Sequence, residues 1–253
     1  MAAVTWSRIR ALLHPIGDVV GVDMVRYRSV RHPMGRRTRL VRGLEIDLVL
    51  DVGANIGQYA LELRRWGYRG RIVSFEPLSS PFRLLRERAD RDDRWDAVHV
   101  GLGDRSETVQ MHVAANAAAS SSILPMLRLH RDVAPQAEYV GAEEVELRRL
   151  DDLLGAHRQG ARSILLKIDV QGYEATVLRG AAASLREVAA VQLEMSLMPL
   201  YEGAPLLAEV VRTLDELGLR LVGIEPGIAD PTTGYLLQAD GIFVRDKDHP
   251  SND

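Results

Sequence analysis

The stretch LVLDVGANIGQYALELRRWG, Leu48 to Gly67, combines an apolar run, two glycines four residues apart and a helical pattern of apolar residues. The run predicts a buried strand, the glycines a tight turn and the remainder a helix. In an open α/β sheet, ligands bind at the carboxyl ends of the strands, beside such a strand-to-helix turn. The stretch therefore predicts a ligand site, with Asp51 before the turn and Asn55 inside it.

The same alternation of apolar strands and amphipathic helices continues along the chain and is typical of a parallel sheet covered by helices on both faces. The predicted strands are Leu48–Val52, Arg71–Phe75, Ala97–Val100, Ile164–Val170, Ala190–Glu194, Arg220–Glu225 and Gly241–Arg245. The predicted helices are Thr5–Leu13, Gly57–Trp66, Pro81–Asp90, Tyr173–Val188 and Leu206–Leu217. Ser79 or Ser80 is expected to cap the helix that begins near Pro81.

The regular alternation breaks between Gly103 and Asp152. We expect residues 46–247 to form one domain, with an insertion at about residues 104–152 over the ligand-binding end of the sheet. Residues 1–45 are expected to form a helical, basic extension, and residues 248–253 a polar tail. The extension includes seven arginines between Arg26 and Arg42, which we interpret as a solvated face, with contact to acidic lipid or phosphate as the alternative.

Composition limits the classes of partner. The chain has 253 residues and a formal net charge of −3 at pH 7, so a nucleic-acid partner is not expected. It contains no cysteine, which excludes disulfides, thiolate metal sites and cysteine nucleophiles. No apolar run approaches the roughly 18 residues of a membrane span, so we expect no span and a cytoplasmic location.

The glycine turn does not fit two common nucleotide ligands. A nucleoside triphosphate requires a Lys-Ser or Lys-Thr pair after the second glycine, and none follows Gly57. A dinucleotide requires more glycines than this turn has, because Ala54 and Ile56 occupy positions between Gly53 and Gly57. S-adenosylmethionine carries no phosphate and makes different demands on the site.

We therefore predict S-adenosylmethionine as the cofactor. Gly53 and Gly57 allow close approach of the main chain, and Asp51 suits the sulfonium or amino end. Glu76 ends the second predicted strand, where a carboxylate can accept hydrogen bonds from both ribose hydroxyls. Asp104, after the third strand, is the candidate acceptor for the adenine amino group.

Charged residues also occur inside two predicted strands. Lys167 and Asp169 are two residues apart, as are Gln192 and Glu194, so each pair shares one face of its strand. If the two strands are neighbours, Lys167, Asp169 and Glu194 converge at the carboxyl end of the sheet beside the cofactor. The alternative is a buried ion-pair network that only orders the sheet.

Together, DVGANIG, FEP, LLKIDVQGYE and LEMS resemble the FkbM family of S-adenosylmethionine-dependent O-methyltransferases, over roughly residues 44–245. The resemblance implies a Rossmann-like class I methyltransferase fold, with a seven-stranded, mostly parallel sheet and one antiparallel terminal strand. It also implies methylation of a hydroxyl group on a polyketide, a glycolipid or another sugar-bearing metabolite. The motif FEP adds Pro77 to the cofactor site, and SSSILPM makes Ser121, Ser122 and His130 candidates for the acceptor pocket.

Methyl transfer to an alcohol benefits from a base that removes the hydroxyl proton. Asp169 is the first candidate, with Lys167 and Glu194 beside it, and His130 is the rival base. Glu174, near the start of the next predicted helix, is a further candidate for the acceptor site, and it either orients Lys167 or interacts with the helix N-terminus. A divalent metal is left open, because Asp169 and Glu194 supply oxygen ligands of the kind that Mg²⁺ takes.

The expected partner is a small-molecule or glycolipid acceptor. Tyr201, in MPLYEGAPLL, lines either the acceptor pocket or a contact between copies of the chain, so a homo-oligomer is left open. Two other functions compete: a nicotinamide-dependent oxidoreductase, disfavoured by the missing glycines, and a non-catalytic methyltransferase-like binding protein. A nucleic-acid methyltransferase is disfavoured by the acidic net charge and the lack of an N-P-P-Y-type tetrapeptide.

Overall fold

A computed structural model describes residues 33–246 of the chain. The chain divides into two units, Met1–Leu40 and Val41–Asp253. Of the first, only residues 33–40 are described, and they belong to helix α1, Pro33–Gly43. The predicted helix at Thr5–Leu13, the first part of the arginine segment and the tail at 248–253 lie outside the described residues.

The second unit is built on a seven-stranded sheet with the order β3-β2-β1-β7-β8-β10-β9. Strands β3, β2, β1, β7 and β8 run parallel, and β10 runs antiparallel to both β8 and β9. This confirms the predicted fold. Within residues 33–246 the strands are β1 Leu48–Val52, β2 Arg71–Phe75, β3 Trp95–Val98, β4 Gly101–Leu102, β5 Glu107–Ala114, β6 Tyr139–Arg148, β7 Ile164–Ile168, β8 Ala190–Ser196, β9 Leu219–Pro226 and β10 Gln238–Arg245.

Helices connect several of these strands. The α-helices that follow α1 in the described chain are α2 Gln58–Arg65, α3 Ser79–Ala89, α4 Arg128–Val133, α5 Leu150–Arg158, α6 Glu174–Gly180 and α7 Leu207–Glu216. None of the helices within residues 33–246 is long and apolar enough to pass through a bilayer.

Strand β1 is buried on both faces, as a central strand of a parallel sheet requires. Leu48 and Leu50, on one face, belong to the main hydrophobic core together with Val177 of α6 and Leu214 of α7. The opposite face carries Asp51, which is also fully buried. A charged residue is thus enclosed on the second face of the sheet, and its partners define the candidate site.

The strand predicted at Ala97–Val100 lies two residues earlier, at Trp95–Val98, and the one predicted at Ile164–Val170 ends at Ile168, so Asp169 follows β7. Two predictions about helices were also wrong. The helix predicted at Tyr173–Val188 ends at Gly180, where an added Cβ would lie 1.8 Å from the carbonyl oxygen of Gly103. The serine cap predicted for α3 is absent, because Leu78 occupies the N-cap position and no side chain caps the helix. Ser79 is already helical, and its N–H and its hydroxyl both donate to Glu143 Oε1 of β6.

Residues 101–148 contain a second sheet with the order β4-β6-β5. Hydrogen bonds attach this part of the chain to loops that follow two strands of the large sheet. Asn55 Nδ2, after β1, donates to the carbonyl oxygen of Ala117 at 3.2 Å. Ser122 Oγ donates to the carbonyl oxygen of Gln171, after β7, at 2.6 Å. The segment predicted as an insertion therefore borders the carboxyl ends of β1 and β7.

Candidate active site

The glycine turn after β1 adopts a left-handed backbone at three positions, with φ of 73° at Gly53, 48° at Asn55 and 85° at Gly57. A Cβ on Gly53 would lie 1.9 Å from the carbonyl oxygen of Asp169, and one on Gly57 would lie 2.7 Å from the Trp95 ring. The lack of a side chain at both glycines therefore lets this turn pack against other parts of the protein. This packing is a second reason for glycine at these positions, beside the close approach of a ligand that the sequence predicts.

Glu76 stands directly after β2, beside this turn, and is only 5% exposed. Its Oε2 accepts a hydrogen bond from the Asn55 N–H at 2.8 Å, and its Oε1 accepts one from the Leu78 N–H at 2.9 Å. Burial raises the pKa of Glu76 to about 7, although these two backbone hydrogen bonds lower it. Each carboxylate oxygen retains a second acceptor position, so Glu76, with Pro77 next to it, fits the diol of a ribose.

Asp51 and Lys167 form a buried ion pair between β1 and β7, with Lys167 Nζ 3.5 Å from Asp51 Oδ1. Asp51 Oδ2 accepts a hydrogen bond from Ser74 Oγ at 3.1 Å, whereas Oδ1 has no hydrogen-bond partner within the described part of the chain. Burial raises the pKa of Asp51, and the charge of Lys167 opposes that change. Because Asp51 has no exposed surface, its carboxylate acts on the neighbouring Lys167 and not on solvent.

Lys167 also contacts Asp169, with 3.3 Å between Nζ and Oδ2. Burial favours the neutral amine, but the carboxylates of Asp169 and Asp51 raise the pKa of Lys167 above its ordinary value, so the side chain remains a cation. Its Nζ lies 5.4 Å from the centroid of the Tyr59 ring. Lys167 is 10% and Asp169 is 38% exposed, so Asp169 is the more accessible partner.

Glu194 of β8 joins this cluster through an amide. Gln171 Nε2 lies 2.9 Å from both Asp169 Oδ1 and Glu194 Oε2, and Gln238 Nε2 lies 2.7 Å from the same Glu194 oxygen. Burial, followed by the charge of Asp169, raises the pKa of Glu194 well above its ordinary value. The structure thus brings Lys167, Asp169 and Glu194 together, as the strand pattern predicted.

Glu174 contacts the loop after β7. It is the first residue of α6, and its Oε1 accepts hydrogen bonds from the N–H groups of Val170 and Gly172 at 3.1 and 3.2 Å. Burial raises the pKa of Glu174 to about 7. Its carboxylate therefore fixes the backbone that joins β7 to α6.

The predicted acceptor residues Ser121 and Ser122 are buried in the segment that follows β5. Ser121 Oγ accepts a hydrogen bond from the Ala114 N–H at 2.9 Å. Ser122 Oγ accepts one from the Leu124 N–H at 3.0 Å and donates to the Gln171 carbonyl oxygen. Both hydroxyls thus have partners that shape this segment.

His130 and Tyr201 pack together, with ring centroids 5.1 Å apart and planes at 87°. Each is 1% exposed, and neither ring nitrogen of His130 has a hydrogen-bond partner within residues 33–246. Burial lowers the pKa of His130, which favours the neutral imidazole. Tyr201 Oη donates to Gln171 Oε1 at 2.7 Å, so Tyr201 contacts the carboxylate cluster through that amide.

Asp104 lies just after β4 and forms an ion pair with Arg179 of α6, with 3.2 Å between Asp104 Oδ2 and Arg179 Nε. Its side chain is 30% exposed, so it remains accessible for the predicted adenine contact. For a metal, the described residues contain no group of three or more His, Cys, Asp or Glu side chains suited to hold an ion.

Sequence reasoning missed two glutamines of this site, Gln171 and Gln238. Gln171 lies between Asp169 and Gly172 in KIDVQGYE, and the proximity of an amide to that carboxylate was the available signal. Gln238 lies far along the chain and reaches Glu194 only because β10 pairs with β8.

Residues 51–221 match the family model described as the methyltransferase FkbM domain. The chain belongs to the FkbM family. The residues of the site, except Gln238 of β10, lie within the matched FkbM domain.

Two curated proteins are similar to this chain. "Methyltransferase sdnD" of Sordaria araneosa is 29% identical over an alignment of 153 residues, gaps included, and the match covers 52% of this chain and 59% of sdnD. "2-O-methyltransferase NoeI" of Sinorhizobium fredii is 28% identical over 162 residues, which cover 62% of this chain and 66% of NoeI. The chain thus spans less than two thirds of either relative.

Among solved structures, the methyltransferase FkbM from Methylobacillus flagellatus KT is 14% identical to this chain, with a TM-score of 0.48. The superposition covers 78% of this chain and 44% of that one.

Proposed function

We propose that this protein is an S-adenosylmethionine-dependent O-methyltransferase acting on a hydroxyl of a sugar-bearing metabolite, such as a glycolipid or a glycosylated natural product, or of a polyketide. The observation that carries the proposal is the position of Glu76 at the end of β2, bonded to the Asn55 N–H of the glycine turn at 2.8 Å. Membership of the FkbM family supports methyl transfer. The relative NoeI is a 2-O-methyltransferase by name, which supports oxygen as the acceptor atom.

In this proposal the residues at the ends of β1, β2 and β4 hold the cofactor. Glu76 accepts hydrogen bonds from the ribose hydroxyls, the turn from Gly53 to Gly57 borders the ligand, and Asp104 accepts from the adenine amino group. Asp51 acts by holding Lys167, because its carboxylate is enclosed. When bound, S-adenosylmethionine supplies an electrophilic methyl group.

Asp169 is the proposed proton acceptor for the acceptor hydroxyl. Its side chain is the accessible end of the buried Asp51–Lys167–Asp169 series, at 38% exposed. Lys167 holds Asp169 Oδ2, which fixes the direction of the carboxylate. General-base assistance of this kind contributes about 10²–10⁴-fold, and correct placement of the hydroxyl contributes further.

Transfer of labelled methyl groups from S-adenosylmethionine to a panel of glycosides and polyketide alcohols tests this function. Asp169→Asn is expected to lower turnover by about 10²–10⁴-fold while S-adenosylhomocysteine binding is retained. His130→Ala is the comparison, since His130 is the rival base but is enclosed against Tyr201. Near-normal turnover of Asp169→Asn together with loss of turnover in His130→Ala would assign the base to His130.

Two alternatives make different predictions. A nicotinamide-dependent oxidoreductase binds NAD in preference to S-adenosylhomocysteine. A non-catalytic member of the family binds S-adenosylhomocysteine but transfers no methyl group to any acceptor in the panel.

A further inference from the structure

Gln171 follows β7 in a left-handed backbone conformation, with φ of 54°, which is strained for a residue that has a Cβ. The N–H groups on either side of it, those of Val170 and Gly172, both donate to Glu174 Oε1. Its carbonyl oxygen accepts a hydrogen bond from Ser122 Oγ at 2.6 Å. Hydrogen bonds with α6 and with the segment before α4 therefore hold this backbone in place. They fix the position from which the Gln171 side chain extends.

Both hydrogens of the Gln171 amide nitrogen and one acceptor position of its amide oxygen take part in hydrogen bonds. Its nitrogen carries two hydrogens and lies 2.9 Å from Asp169 Oδ1 and 2.9 Å from Glu194 Oε2. Its oxygen accepts a hydrogen bond from Tyr201 Oη at 2.7 Å. Gln171 as a whole residue is 9% exposed, so solvent does not readily replace these partners.

Chemistry selects this orientation of the amide over the reversed one. When both acids are ionised they only accept hydrogen bonds, so the NH₂ group faces Asp169 and Glu194 in that state. A reversed amide would place its oxygen against two acceptors. Tyr201 stabilises the productive orientation from the other side, and its ring packs on the same turn, since a Cβ on Gly172 would lie 3.0 Å from Tyr201 Cδ2.

We infer that Gln171 is a positioning residue of the active site, whose amide, oriented by Tyr201, holds the carboxylates of Asp169 and Glu194 in one fixed arrangement. Asp169 is then held on both sides, with Oδ1 on Gln171 and Oδ2 on Lys167. Neither Gln171 nor Tyr201 takes the proton or touches the transferred methyl group. The kinetic consequence rests on the proposed function, whereas the structural arrangement does not.

The first test needs no acceptor and follows the protonation of Glu194 by infrared difference spectroscopy, with its band assigned by its loss in Glu194→Gln. Burial already raises the pKa of Glu194, and the nearby charged groups are those of Asp169, Glu174, Asp240 and Lys167. Removal of a donor to the ionised form is expected to move the titration to higher pH by about one unit.

Gln171→Met removes both donors at similar length and is expected to show that full shift. Tyr201→Phe keeps the ring and removes only the hydroxyl, so a smaller shift in the same direction is expected. Gln110→Met, at an exposed position of β5, is the matched control and is expected to leave the titration unchanged. If Gln171→Met does not fold, Tyr201→Phe alone decides the outcome.

The second test is the pH profile of methyl transfer to the best glycoside of the panel. Gln171→Met is expected to lower kcat/KM by about 10- to 100-fold and to move the acid limb to higher pH, with little change in S-adenosylhomocysteine binding. Gln238→Met removes a donor from Glu194 but leaves the Asp169 donor in place, so its loss of turnover is expected to be smaller.

The two proposals fail in different ways. An unchanged Glu194 titration in the folded Gln171 and Tyr201 variants overturns the positioning role, whatever ligand the protein binds. A pH profile identical to that of the unmodified protein in both variants overturns it as well. Failure of the unmodified protein to bind S-adenosylhomocysteine overturns the proposed function and leaves the Glu194 result standing.

Discussion

Asp51 of β1 and Lys167 of β7 are register partners in neighbouring parallel strands, and their charged atoms lie 3.5 Å apart inside the protein. The side chain of Asp51 is 0% and that of Lys167 is 10% exposed, so neither charge is well solvated. A buried pair of this kind contributes little net stability compared with apolar residues, but the loss of one member leaves an uncompensated charge. The pair also connects the glycine turn to the proposed proton acceptor Asp169.

Lys167→Met is expected to lower the free energy of unfolding by about 3–5 kcal/mol, because Asp51 is left buried without its cation. The double variant Asp51→Asn, Lys167→Met is expected to lose less than the sum of the two single changes. Urea denaturation of all three variants measures this. Arg128→Met, which breaks an exposed pair with Asp132, is the control, and strictly additive effects at Asp51 and Lys167 would contradict the account.

Gly53→Ala tests the packing of the glycine turn against the end of β7. Gly203 is a matched control, because its φ of 72° is close to the 73° of Gly53. An added Cβ meets nothing within 4 Å at Gly203, but it would lie 1.9 Å from the Asp169 carbonyl oxygen at Gly53. Gly203→Ala is expected to cost about 1–2 kcal/mol of unfolding free energy from backbone strain alone.

Gly53→Ala is expected to cost about 1–3 kcal/mol more than Gly203→Ala and to weaken S-adenosylhomocysteine binding. Urea denaturation and calorimetry measure the two effects. Equal destabilisation by the two substitutions would show that the Gly53 turn does not pack on β7 as described.

Glu174→Gln tests how the burial of an acid beside the turn after β7 affects the free energy of unfolding. Burial raises the pKa of Glu174 from an ordinary value of 4.5 to about 7. The stability associated with its neutral form is fully present below pH 4.5 and is lost as the pH rises through 7. Glutamine stays neutral and retains an oxygen that accepts from Val170 and Gly172.

The Glu174→Gln variant is therefore expected to be more stable than the unmodified protein at pH 8, by an amount on the order of 3 kcal/mol, and to match it near pH 4. Urea denaturation at both pH values measures the difference. Glu87→Gln, at an exposed position of α3, is the control. A Glu174 variant that is less stable at pH 8 would show that the ionised carboxylate is the stabilising form.

The sequence predicts the positions of Asp51, Glu76 and Lys167 on the sheet, because each lies in or directly after a short apolar run that forms a buried strand. It also predicts that Lys167 and Asp169 share a face, since the strand repeat is two residues. These inferences depend only on local pattern and on the parallel order of neighbouring strands.

Features that depend on distant contacts were not predictable in this way. Ser79 does not cap α3, because its hydroxyl bonds instead to Glu143, 64 residues along the chain. The alanine-rich segment after Gly180 favours a longer helix, but α6 ends where it approaches the carbonyl group of Gly103. Gln171 lies two residues from Asp169 in the sequence, but its contact with Glu194, 23 residues along the chain, depends on the pairing of β7 with β8 and was not predictable from local pattern.

The central claim is that Glu76 binds the ribose of S-adenosylmethionine, and isothermal calorimetry tests it with S-adenosylhomocysteine and NAD as ligands. At pH 8 the unmodified protein is expected to bind S-adenosylhomocysteine and not NAD, and its affinity is expected to fall below pH 7 as Glu76 takes up a proton. Glu76→Ala is expected to weaken that binding by at least about 10-fold, because hydrogen bonds to a charged group are lost, whereas the exposed Glu144→Ala leaves it unchanged. Preferential binding of NAD, or unaltered S-adenosylhomocysteine affinity in Glu76→Ala, would contradict the account.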